Sequence, residues 1–204
     1  MDSIFPEFSQ NGYHVKLATS PAEIIKAKTL RYQVFYDELG GIPSDIEDRL
    51  KQETDQYDKI ARHLIVIDEH SPDRPVVGTY RLIDSRAVGH YSEFYSAGEF
   101  DLSYLNSNYQ KMLELGRSCI HKDHRNSKVF NCLWMGIAAY MICNDIEVAF
   151  GCVSFLGASA DQHKLALNYL DQHHTNALGV RPVPSRNLDV TSLINEEDDI
   201  SKGA

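Results

Sequence analysis

The stretch KMLELGRSCIHKDHRNSKVFNCLWMGIAAY (Lys111–Tyr140) decides the fold, because a basic turn joins a strand pattern to a long helical pattern. Its first part, Met112–His121, is an apolar run typical of a buried strand, yet it contains Glu114 and Arg117. A buried charge is unfavourable unless it is paired or hydrogen-bonded. Two charges so close together in a core strand therefore require partners or a function.

The segment after the basic turn predicts a long amphipathic helix. Its apolar residues keep the i, i+3, i+4 spacing over about four turns: Val129, Phe130, Leu133, Trp134, Ile137, Ala138, Met141 and Ile142. Glu147–Phe155 then reads as a buried strand, Asp161–His174 as a further helix and Gly179–Pro184 as a last strand. The central pattern is therefore strand, basic turn, long helix, buried strand.

Upstream of this core, the sequence predicts one helix and a strand pair. Ser20 is placed to cap the helix, with Pro21 at its first position and Glu23 completing a capping box. We expect this helix to end at Gly40. RHLIVID (62–68) and VVGTYRLI (76–83) flank a Pro-bounded turn, which predicts two antiparallel strands.

Composition and charge restrict the class of protein. The chain has 204 residues, of which 43% are hydrophobic, and its formal net charge is −9. We assign residues 1–204 to a single domain and residues 195–204 to an acidic flexible tail without core residues. The negative charge disfavours a nucleic-acid-binding function, since basic contacts with phosphate dominate the affinity of such proteins.

The sequence favours a cytoplasmic protein. No apolar run approaches the roughly 18–20 residues that span a bilayer, and the first residues lack a secretory signal. None of the cysteines forms a C-x-x-C pair, which predicts reduced thiols: Cys119, Cys132, Cys143 and Cys152.

Glu114, Gly116 and Arg117 are the candidate catalytic residues. Side chains alternate along a strand, so the two charges would lie on opposite faces unless a bulge re-aims one of them. Gly116 is the natural place for such a bulge, and bulges are frequent beside active sites. The alternative is a structural network of ion pairs, whose candidate partners are Arg31, Arg81, Asp55 and Asp58.

The turn HKDHRNSK (His121–Lys128) is the candidate anion site. Helix N-termini have unpaired N–H groups and a partial positive charge, so they bind phosphate. We expect this turn to receive a phosphopantetheine arm through Lys122, Arg125, Asn126, Ser127 and Lys128. The alternative is a solvated basic turn. Two close histidines without a carboxylate partner do not predict a metal site.

These motifs resemble known acyltransferases. The core pattern resembles the GNAT superfamily, in which a thioester donor lies between two splayed strands. LRYQVF, ETDQYD, GTYRL and LELGR resemble the acyl-homoserine-lactone synthase branch, in the same order over Leu30–Arg117. VVGTYRL, EFDLS, LELGRSCIH and FGCVSF are similar, almost continuously over Val76–Gly157, to the bacterial acyltransferases of ornithine lipid synthesis.

The resemblance implies a fold and a reaction. The fold is α+β, a GNAT-like α/β/α sandwich with a mixed, mostly antiparallel twisted sheet that splays between the strands at 112–121 and 147–155. The reaction moves a (3-hydroxy)fatty acyl group from acyl carrier protein to the α-amine of an amino acid, with ornithine as the first expectation. No tightly bound cofactor is expected, acyl-CoA is the alternative donor, and the lipid product implies contact with the inner face of the membrane.

The resemblance also assigns roles to residues. Glu114 is the candidate base, acting directly or through a water, or else it only positions the amine; backbone N–H groups near Gly116 would stabilise the oxyanion. The acceptor site comprises Arg31, Phe35, Asp55, Asp58 and Arg81. The arginines would bind the acceptor carboxylate or hold the acidic connector closed, and the aspartates would meet a cationic side chain. The acyl chain needs an apolar slot, whose candidate walls are Trp134, Phe150, Phe155 and Leu156; the alternative is that most of these are core residues.

The departures from the family patterns bear on the substrates. Gly41 stands where lactone synthases have a tryptophan and Gly116 where they have serine or threonine, which argues against S-adenosylmethionine as acceptor. The phosphate loop, Arg125–Phe130, lacks both small residues of the superfamily, which favours a carrier protein with one phosphodiester over coenzyme A. Another amine acceptor and a non-catalytic lipid-binding module remain alternatives.

Overall fold

The computed structural model describes residues 5–155, 157, 160–174 and 183–185. The strands are β1 (Phe8–Gln10), β2 (Tyr13–Leu17), β3 (Arg62–Asp68), β4 (Val76–Asp84), β5 (Phe100–Asp101), β6 (Met112–Ile120), β7 (Val148–Phe150) and β8 (Val183–Pro184). The α-helices are α1 (Pro21–Tyr32), α2 (Asp45–Leu50), α3 (Ser103–Asn108), α4 (Ser127–Cys143) and α5 (Lys164–His173). Short 3₁₀ turns connect several of them.

Six strands form one sheet in the order β1-β2-β3-β4-β6-β7, and β5 pairs separately with β8. Neighbouring strands are antiparallel except β6 and β7, which run parallel and pair from Met112 with Val148 to Glu114 with Phe150. The predicted strand pair β3–β4 and the predicted mixed, mostly antiparallel sheet are confirmed.

Helices cover both faces of this sheet. Because side chains alternate along a strand, Leu64 and Val66 of β3 pack on one face against α4, in a buried cluster with Leu133 and Ile137. Ile65 points to the other face and packs against α1. The predicted layering of helix, sheet and helix is therefore confirmed, with β3 and β4 at the centre of the sheet.

The first helix begins as predicted but ends differently. The Ser20 side chain accepts a hydrogen bond from the Glu23 N–H, and Glu23 completes the capping box. From Gln33 to Glu38 the chain forms a π-helix instead of the predicted α-helix, and Gly40 follows with a left-handed φ of 77°. π turns are rare and occur mostly at functional sites. Here the π-helix carries the chain into the acidic connector.

The acidic connector is more ordered than its sequence suggested. Ser44 and Glu47 form a second capping box at the start of α2, and a 3₁₀ helix at Gln56–Lys59 is capped by the Asp55 side chain. The buried Glu47 carboxylate also accepts hydrogen bonds from the Tyr36 hydroxyl, at 2.8 Å, and from the backbone of Thr54. These bonds fix the connector against the π-helix.

β7 is shorter than the predicted strand at 147–155, since its pairing with β6 stops at Phe150 while β6 continues to Ile120. Gly151 passes so close to β6 that a Cβ there would lie 2.2 Å from the Leu115 carbonyl oxygen. Beyond this point residues 151–155 form no ladder with β6. The two strands therefore part where the splay was predicted.

Some predictions fall outside the described residues. These are the acidic tail at 195–204, Leu156 and the part of the predicted last strand before Val183. The predicted helix at Asp161–His174 is confirmed over Lys164–His173. Within the described ranges, no helix combines the length and the apolar character needed to cross a bilayer.

Candidate active site

A β-bulge interrupts the centre of β6. Cys119 pairs with Thr79 and Gly116 with Arg81, so two residues of β6, Arg117 and Ser118, oppose one residue of β4. Arg117 has a φ of 50°, in the left-handed region that non-glycine residues adopt rarely and at an energetic cost. The predicted bulge is confirmed, one residue after Gly116.

The bulge brings Glu114 and Arg117 to one cavity. Both line a volume of about 40 Å³, slightly more than one water molecule occupies in the liquid. The other lining residues are Arg81, Ile83, Tyr95, Leu115, Gly116 and Cys152. The cavity therefore lies at the point where β6 and β7 part.

Glu114 is buried, with 2% of its surface exposed, and neutral groups hold it. Its carboxylate accepts hydrogen bonds from the backbone N–H groups of Tyr95, at 3.0 Å, and Ser96, at 2.6 Å. Among the described residues it has no cation within ion-pair distance. Sequence reasoning missed Tyr95 and Ser96, because a backbone N–H leaves no signal in side-chain identities.

Arg81 keeps a buried donor unused. Its Nη1 atom donates to both carboxylate oxygens of Asp55, at 2.6 and 2.7 Å. Its Nε atom is buried and has no hydrogen-bond partner among the described residues, although a buried donor normally has one. Gly116 lies beside this guanidinium, since a Cβ there would be 3.9 Å from Arg81 Nη2. The cavity wall thus contains an unsatisfied donor of a positively charged group.

Arg117 links the cavity to the acidic connector. It donates through Nε to Glu53 at 3.0 Å and through Nη2 to Asp55 at 3.3 Å, and it lies over the ring of Tyr95. Burial acts to lower the pKa of Arg117, but the charges of Glu53 and Asp55 raise it above its ordinary value. These contacts hold the side chain of a backbone-strained residue in one place.

Arg31 has no exposed surface, and carboxylates and a carbonyl occupy its donors. It bonds the Glu53 side chain, the Glu53 carbonyl at 3.0 Å and both oxygens of Asp58, at 2.7 and 3.1 Å. Burial acts to raise the pKa of Asp58, but hydrogen bonds and charge from Arg31 hold it below its usual range. This geometry favours the structural alternative, in which Arg31 holds the connector closed.

Glu53, Asp58 and Phe35 lie behind the cavity. Glu53 bridges Arg31 and Arg117, a role that its position at the start of ETDQYD did not reveal. Phe35 packs against the buried cluster of α1, with Leu30 and Val34. We therefore interpret Glu53, Asp58 and Phe35 as residues that hold the site in its conformation.

His63 lies beside Asp58, one of these supporting residues, in an unusual environment. Both of its ring nitrogens are buried without a hydrogen bond, and Nε2 lies 3.9 Å from Asp58 Oδ1. Burial lowers its pKa to about 4 against the opposing charge of Asp58, and nearby cations, of which Arg31 acts most strongly, add to the lowering. His63 is therefore neutral at physiological pH.

The basic turn is less open to an anion than its sequence suggested. The Asn126 side chain accepts hydrogen bonds from the N–H groups of Lys128 and Val129 and so caps α4 itself. Arg125 forms a two-pronged ion pair with Glu38, its Nη2 lying 2.7 Å from Oε2. The exposed Lys122 has no ion-pair partner in the part of the chain that the structure describes, and the same is true of Lys128. Ser127 is the first residue of α4.

The predicted acyl-pocket residues do not form one wall. Trp134 is 46% exposed on α4, where its ring contacts Tyr80 and Phe130. Phe150 packs edge-to-face against Phe94 in a separate core cluster. Phe155 stacks on His163, and Leu156 lies outside the described residues.

Neither the Cys119 thiol nor a cluster of potential metal ligands marks a second catalytic group among the described residues. Burial raises the pKa of the Cys119 thiol to about 12, so Cys119 is a packing residue and no nucleophile. Among the residues that the structure describes, no three His, Cys, Asp or Glu side chains converge as metal ligands would.

The sequence is similar to that of known acyltransferases. Residues 30–135 match the family described as Acetyltransferase (GNAT) domain. An L-ornithine N(alpha)-acyltransferase from Rhodobacter capsulatus is 37% identical over 173 residues, which cover 83% of this chain and 67% of that protein. A Brucella abortus protein of the same name is 38% identical over 181 residues, covering 84% of this chain and 64% of the relative. The chain thus spans about two thirds of the length of these curated relatives.

The fold is also found in a solved structure. An N-acyl amino acid synthase from uncultured soil microbes aligns with a TM-score of 0.50 at 12% identity, over 78% of this chain and 77% of that chain. At this identity the likeness establishes the fold alone. Together with the family match, it confirms the predicted fold class.

Proposed function

The chain belongs to the acetyltransferase (GNAT) domain family and is an acyltransferase, and we propose that it joins a (3-hydroxy)fatty acyl group to the α-amine of ornithine as an amide. The observation that carries this proposal is Glu114, a buried carboxylate that, within the described part of the chain, is held by backbone N–H groups alone, in the cavity where β6 and β7 part. The names of the relatives support ornithine as acceptor.

Glu114 acts as the general base. An ammonium group cannot attack a thioester, so the acceptor amine must lose a proton before or during addition. The Glu114 carboxylate has no cation to neutralise it among the described residues and is free to receive that proton, directly or through one water, which the cavity volume accommodates. General-base assistance is typically worth roughly 100- to 10,000-fold in rate.

The bulge supplies the oxyanion donors. The extra residue of a bulge locally disrupts the ladder, so we infer that backbone N–H groups at Arg117 and Ser118, which together oppose one residue of β4, are available to a ligand. Preorganised donors at the developing negative charge are often the largest contribution to catalysis. We assign these N–H groups, beside Gly116, to the thioester oxygen.

Arg81 binds the carboxylate of the acceptor. Its buried Nε atom lacks a partner, and a carboxylate would satisfy that donor with a charge-assisted hydrogen bond. Arg117 stands next to it on the cavity wall. Arg31 is given no substrate role, because its bonds to Glu53 and Asp58 occupy its guanidinium. Asp55 and Asp58 then hold the arginines in place.

The donor is an acyl carrier protein. Lys122 and Lys128 offer exposed positive charge beside the splay, which suits an acidic carrier. Asn126 caps two of the N–H groups that a pyrophosphate would use, which makes acyl-CoA the less suited donor. We expect the acyl chain to follow the exposed rings of Phe130 and Trp134, and the reaction to occur in the cytoplasm at the inner face of the membrane.

A second candidate is acylation of another amino acid. The proposed contacts of Glu114 and Arg81 use only the α-amine and the α-carboxylate, which every α-amino acid carries. Gly41 and Gly116 disfavour the lactone route, and the uncompensated charge of Glu114 disfavours a module without catalysis.

A mass-spectrometric product screen tests the proposal. Purified protein would be given 3-hydroxyacyl carrier protein or the matching acyl-CoA, with a panel of amino acids and S-adenosylmethionine. We expect N-acylornithine from the carrier protein, lost in Glu114→Gln and retained in Glu69→Gln, a control whose carboxylate pairs with Arg74 at the β3–β4 turn. If a different acylated amino acid formed, that amino acid and not ornithine would be the acceptor. If no amide formed, the proposed enzyme function would be contradicted.

A further inference from the structure

Glu99 is an uncompensated carboxylate at the edge of the candidate site. It is exposed, and its Oε1 atom accepts a hydrogen bond from the Tyr95 hydroxyl at 3.0 Å. The pKa of the Cys152 thiol is raised, first by burial and then by the charges of Glu99 and Glu114, so both carboxylates act on this thiol. Tyr95 and Cys152 both line the cavity, which places Glu99 directly beside it.

The acids of the connector are already compensated. Arg31 and Arg117 bind Glu53, Arg81 binds Asp55, and Arg31 binds Asp58. Glu99, like Glu114, has no lysine, arginine or histidine within ion-pair distance among the described residues. With Glu114 assigned to the α-amine, a second cation that enters the site would therefore meet its available negative charge at Glu99.

Tyr95 connects Glu99 to the arginines of the site. The Arg117 guanidinium is 5.2 Å from the centroid of the Tyr95 ring, whose hydroxyl bonds Glu99 and also interacts with Arg117. Arg81, whose buried Nε has no hydrogen-bond partner among the described residues, lines the same cavity as Arg117. One aromatic side chain therefore lies in contact with both a positive and a negative group of the site.

We propose that Glu99 selects acceptors with a cationic side chain, an inference that rests on the proposed amide-forming function. The acceptor carboxylate binds at the arginines, its α-amine meets Glu114, and its side-chain ammonium binds the Glu99 carboxylate. The backbone of Glu99 is held for this role, because its carbonyl accepts a hydrogen bond from the Ser185 N–H at 2.8 Å. No bond is made or broken at Glu99 in this role.

The test compares ornithine with norvaline, which has the same carbon skeleton without the side-chain amine. In Glu99→Gln we expect the KM for ornithine to rise roughly tenfold or more, since a charged hydrogen bond is lost, while kcat/KM for norvaline stays unchanged. Glu99→Lys should lower the preference for ornithine further. Glu93→Gln is the matched control, because Glu93 lies in the same loop, is exposed and accepts only a backbone N–H, from Gly89.

Each other result overturns the inference in a distinguishable way. Equal losses with ornithine and norvaline in Glu99→Gln would give Glu99 a structural role. An unchanged KM for ornithine, or a wild-type enzyme that uses norvaline as well as ornithine, would remove the selection while leaving amide formation intact. If the wild-type protein acylates no amino acid, the proposed function fails and the inference with it.

Discussion

Arg31 and Arg81 are buried arginines that bind the same acidic connector, but their donors are used differently. Carboxylates and a carbonyl complete the bonding of Arg31, which with Glu53 and Asp58 forms an anchoring cluster. We propose Arg81 and Glu114 as the reacting pair: among the described residues, the buried Nε of Arg81 has no hydrogen-bond partner and Glu114 accepts from neutral donors alone. Arg117 connects the two groups through Glu53 and Asp55.

This difference distinguishes charged residues that stabilise the fold from charged residues that we propose to act in the reaction. Burial alone does not mark function, because Arg31 is more buried than Arg117. The reacting pair differs because its buried polar groups are only partly paired. Such groups lower the stability of the folded protein, and a substrate that pairs with them on binding offsets part of that loss. The predictions below test whether loss of stability and loss of activity follow this division.

Removal of a charge from the anchoring cluster should have the largest effect on stability. In Arg31→Met, Glu53 and Asp58 stay buried without their main cation, and we expect the free energy of unfolding to fall by about 3–5 kcal/mol. Denaturant unfolding measures this change. Arg125→Met is the matched control, because its pair with Glu38 is partly exposed and should contribute less than about 1 kcal/mol. Equal losses of unfolding free energy in Arg31→Met and Arg125→Met would contradict the division between the anchoring cluster and the reacting pair.

His63 should make the anchoring cluster sensitive to acid. Its folded-state pKa of about 4 lies below the ordinary value of 6.5, so the unfolded chain binds the proton more readily. Between these values stability falls as the pH falls, by up to about 3 kcal/mol from this group. Unfolding of the wild type and of His63→Leu, followed from pH 7 to pH 4, should show a shallower decline in the variant. Parallel declines would remove His63 from this account.

Arg81→Lys should change substrate binding more than stability. Lysine keeps the charge near Asp55 but loses the unpaired Nε donor, so we expect the KM of the acceptor to rise roughly tenfold. Because the α-carboxylate is common to all acceptors, ornithine and norvaline should be affected alike, unlike in Glu99→Gln. Steady-state kinetics with both acceptors separates these patterns, and an unchanged KM would argue that Arg81 only holds Asp55.

The smallest effect is expected at the basic turn. Lys122→Glu and Lys128→Glu should raise the KM for acyl carrier protein severalfold, more strongly at low salt, because these charges are exposed. A small acyl-pantetheine thioester should react at the same rate with wild type and variants. Lys59→Glu, another exposed lysine without an ion pair in the described ranges, is the control. Equal loss with both donors would place the lysines in the chemistry.

Local patterns predicted most of the framework. The capping box at Ser20, the strand at 112–121 and the apolar stripe of α4 depend on neighbours in sequence, and the structure reproduces each within a few residues. The π-helix from Gln33 and the short β7 were not predicted. Both depend on contacts with distant segments, such as Tyr36 with Glu47 and Gly151 with Leu115.

The site was predicted in part for the same reason. The sequence indicated Glu114, Arg81 and Arg117 because they are charged residues within apolar strands. All three line the cavity. Which carboxylate meets which arginine depends on tertiary packing, so Glu53 was missed, and the sequence left open whether Arg31 binds the acceptor or holds the connector closed. The backbone N–H groups of Tyr95 and Ser96, and the position of Glu99 beside them, leave no pattern in the sequence.

The most direct test of the reacting pair is the single-turnover rate of amide formation in Glu114→Gln, with acyl carrier protein and ornithine saturating. Glutamine keeps the shape of the side chain and one acceptor oxygen, which replaces one of the two carboxylate oxygens that accept separately from the Tyr95 and Ser96 N–H groups, so the fold should persist with some loss of stability. We predict a rate lower by roughly 100- to 10,000-fold, measured at a temperature at which the variant remains folded. A rate close to that of the wild type would contradict a base at Glu114.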